Sequence, residues 1–405
     1  MSKLDFWLLF FDNPYLYYSV LFSVMFLSFI LLKLCRFEYF HPVVFFVFFN
    51  YQFALVGVIY LDILGYIESK YAYYFYMVQA LFWIGFFFSI FIVSRLSVDR
   101  IDRFNSIGFN CSTGFNFSYK LSCYIYIFSI LVTYIAFGIP LFENSKWSVF
   151  SSIPLAGIIG RLGSSTYIFI IVFITIKVIR KIKLSYFDKF IIFILLVTGL
   201  LSGSKMFFLS YFFIYYLVHF LFGIRLDREK VKKVLFLSTL FFVVVLGGVF
   251  FNQLYTNGTT VNPLQLVVQR LAMSGDMQIL SLPNGYVDQL YNGEDILSIL
   301  FFELKGLFSI FGVQLTGPSL GVKVMHIHYP YLKDNIGPSS TFDIFNYVYF
   351  NYFSYVISIF IGIFVGFFAK YRPRLKNEAH LIFYTIIAIG AYTLIYNPQI
   401  WISTM

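Results

Sequence analysis

A few charged and titratable residues stand out in this 405-residue chain because their surroundings are almost wholly apolar. Arg270 lies in VVQRLAMSGD (267–276), where Leu264, Val267, Val268 and Leu271 recur at helical spacing. A guanidinium at the edge of such a face suits two-pronged recognition of phosphate oxygens. It suits an ion pair with Asp276 equally well. His326 and His328, in MHIHYP (325–330), project to one side if that stretch is extended. Neutral imidazole accepts a proton near pH 7, so either is a candidate general base, with Asp276 as the weaker third choice. A zinc site is the rival reading, but no Cys or external carboxylate stands at a companion spacing. A purely structural pair of histidines needs neither chemistry. No metal and no other cofactor is expected.

Two further cations sit beside small residues. In TGLLSGSKMFF (198–208), the apolar run 190–201 makes about 18 Å of helix, against a bilayer core of about 30 Å. Unless that helix recruits 184–189, Ser204 and Lys205 lie below the membrane surface. A lysine there costs about 2.5–3.5 kcal/mol on insertion scales unless it finds water or a partner. Lys205 is thus a candidate anion ligand at the base of a cavity, with Ser204 beside it. The plain alternative is a lysine snorkelling from a hairpin turn. Arg161, in GIIGRLGSSTY between Gly160 and Gly163, opens a helix whose free amides favour an anion; an interfacial anchor fits it too.

The elements that position these residues must be membrane helices. Hydrophobic residues make up 60% of the chain and charged ones 12%, too few to cover a soluble domain of this size. Candidate spans are 15–33, 42–60, 72–93, 121–140, 163–179, 188–203, 205–223, 234–252, 343–368 and 380–398. The fold class expected is all-α, a polytopic membrane protein of about ten transmembrane helices (10–12). The N-terminus has no small-residue cleavage site after its apolar run and reads as a retained helix. Three cysteines, at 35, 111 and 123, form no CxxC and imply no disulfide framework. The richness in Phe, Tyr, Ile, Asn and Lys points to an AT-rich, bacterial genome.

Topology explains the net charge of +10 without nucleic acid. Twenty of the 29 Lys and Arg fall in, or within a few residues of, the loops after the first, third, fifth, seventh and ninth spans. By the positive-inside rule those loops are cytoplasmic. The chain then divides into a helix bundle (1–252), a large external loop (253–342) and C-terminal helices (343–405). An external loop that long is usually functional. Within it, ILSILFFELKGLFSIFG (296–312) reads as a helix lying in the interface, or as a short re-entrant or spanning one. The candidate cations all face the external side, no Gly-rich phosphate loop is present, and no loop inside has room for a nucleotide-binding fold. A substrate delivered by the bilayer, such as a lipid diphosphate, fits that arrangement.

The layout resembles the Wzy-type polymerases of bacterial O-antigen and capsular polysaccharide. The resemblance rests on many spans with one dominant external loop before the last two helices, and on two segments. LSGSKMFFLSYFF is similar to that family's small-Gly-Ser-Arg/Lys turn leading into a helix. GPSSTFDIFNYVYFNYFSYVISIFIGIFVGFF (337–368) resembles the return from the large loop into the membrane. An Arg followed by ten residues and a Gly, found in some members, is absent at Arg161 and Arg270. The resemblance implies a fold like the C-type glycosyltransferases and a donor that is a polyprenyl-diphosphate-linked oligosaccharide. It also implies residence in the bacterial cytoplasmic (inner) membrane, with a flippase and a chain-length regulator as possible pathway partners. Lys205 and Arg270 match its diphosphate-holding cations by position. The competing readings are a lipid-linked oligosaccharide flippase or other transporter, against which no internal symmetry is found, and an O-antigen ligase.

Overall fold

The computed structural model describes residues 1–38, 41–96, 113–139, 154–201, 205–224, 275–291, 293, 319–331, 337–373 and 378–398. Every regular element among them is helical. Six helices are long and apolar enough to cross a membrane, and two more apolar helices are shorter. This is a multi-pass helical membrane protein. Of the ten expected spans, 234–252 lies outside the described residues, as do Arg270, Ser204 and the segment 296–312.

The chain opens with α1 (Lys3–Asp12), an element the hydropathy reading did not assign. Ser2 and Asp5 cap it reciprocally, side chain to backbone, which satisfies two of its otherwise orphan amides. Pro14 starts α2 (Pro14–Leu34), whose Phe22 and Phe26 stay exposed as a lipid-facing helix requires. Next comes α3 (Val44–Ile63), π-helical over its first seven residues and buried along three quarters of its apolar window. It is followed by α4 (Ser69–Leu96), α5 (Thr113–Phe137) and α6 (Pro154–Ile179). Then come α7 (Tyr186–Leu201) and α8 (Lys205–Leu221). At 16 residues, α7 does recruit 186–189, giving about 24 Å and reducing the expected shortfall without closing it.

From the long segment between 253 and 342 the described residues form α9 (Asp276–Ser281), a 3₁₀ stretch (Pro283–Gln289) and α10 (Leu320–His328). The chain ends with α11 (Phe342–Phe350), α12 (Ser354–Lys370) and α13 (Glu378–Tyr396). Two glycines bring α12 against α4. A Cβ at Gly362 would run into the carbonyl of Phe82, and one at Gly366 would lie 2.6 Å from that of Phe86. Small residues let membrane helices pack backbone to backbone, where dispersion replaces the hydrophobic effect.

Polar contacts sort the helix ends into two sets. At one end the C-termini of α2, α6, α8 and α12 gather with the N-termini of α5 and α7. There Lys370 Nζ donates to Cys35 O, the Tyr216 hydroxyl to Glu38, and Lys177 to Asp188. This basic end also carries Lys33, Arg36, Arg180 and Arg372. The opposite end gathers α1, the C-terminus of α3, the N-terminus of α4, α9, α10 and α11. We call it the loop end.

Candidate functional site

At the loop end the long segment does not lie apart from the helices. Met277, Gln278, Ile279, Leu280 and Ser281 of α9 are all buried, in one core with α1, α3 and α4. Gly275 permits this, because a Cβ there would stand 2.7 Å from Ala54 Cα on α3. Gln278 Nε2 donates to Thr341 Oγ1 at 2.7 Å and to Asp343 Oδ2 at 2.8 Å. Asp343 is fully buried in the first turn of α11, where the helix N-terminus favours a carboxylate. The bilayer offers no water to such a group, so Gln278 and Thr341 tie the long segment to the last helices.

The turn after α9 then aims a second carboxylate outward. Asn284 (φ 57°) and Gly285 (φ 66°) are consecutive left-handed residues, and a Cβ on Gly285 would collide with the Tyr71 hydroxyl. Glycine at 285 therefore lets Tyr71, near the start of α4, reach Asp288. Tyr71 donates to Asp288 Oδ2 at 2.6 Å, and Tyr347 of α11 donates to Oδ1 at 2.7 Å. Lys70 Nζ lies 3.7 Å from the same carboxylate. Asp288 lines an open cavity of about 390 Å³ with Val287, Tyr291, Tyr347, Tyr349 and Asn351. Beside it the buried Lys323 of α10 donates to Leu290 O at 2.9 Å and lies 3.5 Å from the Tyr349 hydroxyl.

The sequence-derived candidates fare unevenly. The histidine pair would share one side only in an extended stretch. It lies in α10 instead, and in a helix residues i and i+2 diverge by about 200°. His328 Nε2 is 2.7 Å from Leu280 O, so it is that nitrogen that carries the hydrogen. Its ring stands edge-on to Tyr286. Burial, ahead of the neighbouring N-terminal amine, pushes its pKa below the ordinary histidine value. His326 Nε2 is buried with no hydrogen-bond partner among the described residues. Asp276 Oδ2 pairs with Lys3 Nζ at 2.7 Å; Arg270, for which an ion pair with Asp276 was the alternative to phosphate recognition, lies outside the described residues.

Lys205 is the first residue of α8. Arg161, expected to open its helix, instead lies in the second turn of α6, which begins at Pro154, so the free amides of that helix precede it; both helices begin at the loop end. The structure thus brings Asp276, His326 and His328 to the same end as the Asp288 cavity. No group of three His, Cys, Asp or Glu suited to a metal occurs among the described residues.

Sequence reasoning passed over Asp288, Tyr71, Tyr347, Lys323 and Asp343. Lys323 and Asp343 carried a usable signal, each a lone charge in an apolar helical run. Asp288 carried none: its partners are 217 and 59 residues away. No family model, no curated protein and no solved structure matches the chain.

Proposed function

We propose that this chain is a membrane-embedded glycosyltransferase of the outer face of the bacterial cytoplasmic membrane. In this reading it joins polyprenyl-diphosphate-linked oligosaccharide repeat units into O-antigen or capsular polysaccharide. The observation that carries the proposal is the insertion of the long segment into the loop end of the bundle. It sets an open, tyrosine-lined, charged cavity among the ends of bilayer-spanning helices, where a lipid-borne polar substrate arrives. The resemblance of 201–213 and 337–368 to the Wzy-type polymerases supplies the reaction class.

An acceptor sugar hydroxyl attacks the anomeric carbon of the growing glycan. A C–O bond forms there as the bond to the lipid diphosphate breaks, and the electron pair leaves with the diphosphate. Arg270, Arg161 and Lys205, with Ser204, are assigned to stabilise that leaving charge. The hydroxyl proton passes to His326, His328 or Asp276. The tautomer of His328 leaves Nδ1 as its basic nitrogen. Asp276 has its ion pair with Lys3 to give up before it accepts a proton, which favours the histidines.

The test is reconstitution of the purified protein in vesicles with a lipid-diphosphate oligosaccharide from the same cell. A ladder of longer glycans is expected, formed equally well in EDTA. Transbilayer movement of the substrate with no ladder would replace this reading with a flippase. A ladder that vanishes in EDTA and returns with a divalent cation would overturn its metal-free chemistry.

A further inference from the structure

The Asp288 cavity has a chemical character of its own, distinct from that of the cations assigned to the diphosphate. Its carboxylate is half exposed, with a side-chain accessibility of 49%, and two phenol hydroxyls fix its plane. Each oxygen receives one of these bonds and keeps a lone pair for a further donor. Around it stand the rings of Tyr291 and Tyr349, edge to face with centroids 6.4 Å apart.

Charge narrows the class of ligand. The Asp288 oxygens in the wall are acceptors and offer an anion no donor, so the lipid diphosphate belongs elsewhere. Lys70 stands 3.7 Å from Asp288, and the Lys323 ammonium lies 5.7 Å from the Tyr349 ring, so a cationic ligand meets two like charges. A neutral molecule rich in hydroxyls remains. Its O–H groups donate to Asp288, and its C–H faces lie on the tyrosine rings. The volume, about 390 Å³, is in the range of small-molecule sites.

A second observation comes from the backbone. Asn351, at the break between α11 and α12, has φ 45° and ψ −117° and is exposed in the cavity wall. That conformation is strained for any side chain, and such strain persists where surrounding structure and function hold it. A glycine would fit there without strain; an amide instead presents a donor and an acceptor to the cavity.

We infer that the cavity formed by Asp288, Tyr291, Tyr347, Tyr349 and Asn351 is a saccharide subsite. It holds the acceptor sugar, with Asp288 fixing a hydroxyl through hydrogen bonds. The assignment to acceptor rests on the polymerase reading above; the sugar site itself does not.

The experiment uses the full-length protein in nanodiscs and saturation-transfer NMR. The probes are free glucose, galactose, rhamnose, N-acetylglucosamine and N-acetylgalactosamine, with ethylammonium and inorganic pyrophosphate, the latter followed by phosphorus-31 line broadening, as charged comparisons. At least one sugar gives a signal with the unmodified protein. Asp288→Asn weakens its binding tenfold or more and leaves pyrophosphate unchanged. Asn351→Gly also weakens it, while its melting temperature stays level or rises, which separates loss of the site from loss of the fold. The inference is overturned if no sugar binds at high millimolar concentration. It is equally overturned if sugar binding survives both substitutions, or if ethylammonium is the probe that Asp288→Asn displaces. Polymer formed at full rate by Asp288→Asn removes the acceptor subsite and leaves the polymerase standing. Asp288-dependent sugar binding with no polymer does the reverse.

Discussion

Asp188 and Asp288 sit at opposite ends of the bundle and are held by the same kinds of side chain, yet they differ in what is left over. Asp188, at the basic end, is 1% exposed and receives both its oxygens' fill: Lys177 at 2.9 and 3.0 Å, Tyr119 at 2.9 Å, and the Ser185 amide and hydroxyl at 2.8 Å each. Asp288, at the loop end, has two tyrosines, an exposed lysine at 3.7 Å and a cavity. A saturated, buried carboxylate holds helices together. One with spare lone pairs facing open space is available for a ligand. Residue type does not separate the two cases; saturation and exposure do.

The contrast is broken most forcefully at Lys177. Lys177→Met leaves the buried Asp188 without its cation and is expected to destabilise the bundle by about 3–5 kcal/mol. The loss reads as a fall in folded protein recovered from the membrane. Asp188→Leu on top of it restores much of the yield, because a vacated ion pair can be replaced by apolar packing. At the loop end, Asp288→Asn is expected to change thermal stability by about 1 kcal/mol or less, since an exposed ion pair contributes little. Equal destabilisation by the two variants would erase the distinction.

A finer cut compares phenols. Tyr119→Phe removes a hydrogen bond to a buried carboxylate, which contributes about 1.5–3 kcal/mol, and leaves the glycan ladder intact per molecule of folded protein. Tyr347→Phe removes a bond to an exposed carboxylate, costs about 1 kcal/mol, and shortens the ladder. Melting curves and polymer length on gels, measured side by side, decide it. A Tyr119→Phe protein that folds but makes no polymer would contradict the assignment of ends.

Much of this frame was legible in the sequence, because spanning a bilayer needs long apolar runs and the positive-inside rule sorts the loops. Eight of the expected spans coincide with α2 to α8 and α13, and a ninth with the α11–α12 pair. Missed was α1, whose short run sits just before Pro14 and falls below the length of a span. The long segment was legible as unusual, but its burial was not. Met277, Ile279 and Leu280 meet α3 only through tertiary packing, and Gly275 marks that approach without naming its partner. The cavity was the least legible part. Asp288 gains its surroundings from α4 and α11, and no spacing along the chain encodes such a meeting.

The smallest expected effect is a pH dependence at the loop end. His328 has a folded pKa below the ordinary value of about 6.5, so the unfolded chain takes up its proton more readily than the folded one. The stability it contributes is full above about pH 6.5 and is lost as pH falls through that value toward the folded pKa. Melting temperature should therefore drop between neutral and mildly acidic pH, and His328→Phe should flatten that part of the profile. A rise in melting temperature on acidification, abolished by His328→Phe, would reverse the sign of this burial.

The central claim is that the loop end is the working face and lies outside the cytoplasm. Two exposed positions test it, Gln289 beside the cavity and Lys183 at the basic end. In a background with Cys35, Cys111 and Cys123 replaced by alanine, single cysteines are introduced at each and intact spheroplasts are treated with a membrane-impermeant maleimide. Gln289→Cys is expected to label in intact cells, and Lys183→Cys only after the membrane is opened. Labelling of Lys183→Cys from outside, with Gln289→Cys protected, would contradict the orientation and with it every assignment built on a substrate arriving from the outer leaflet.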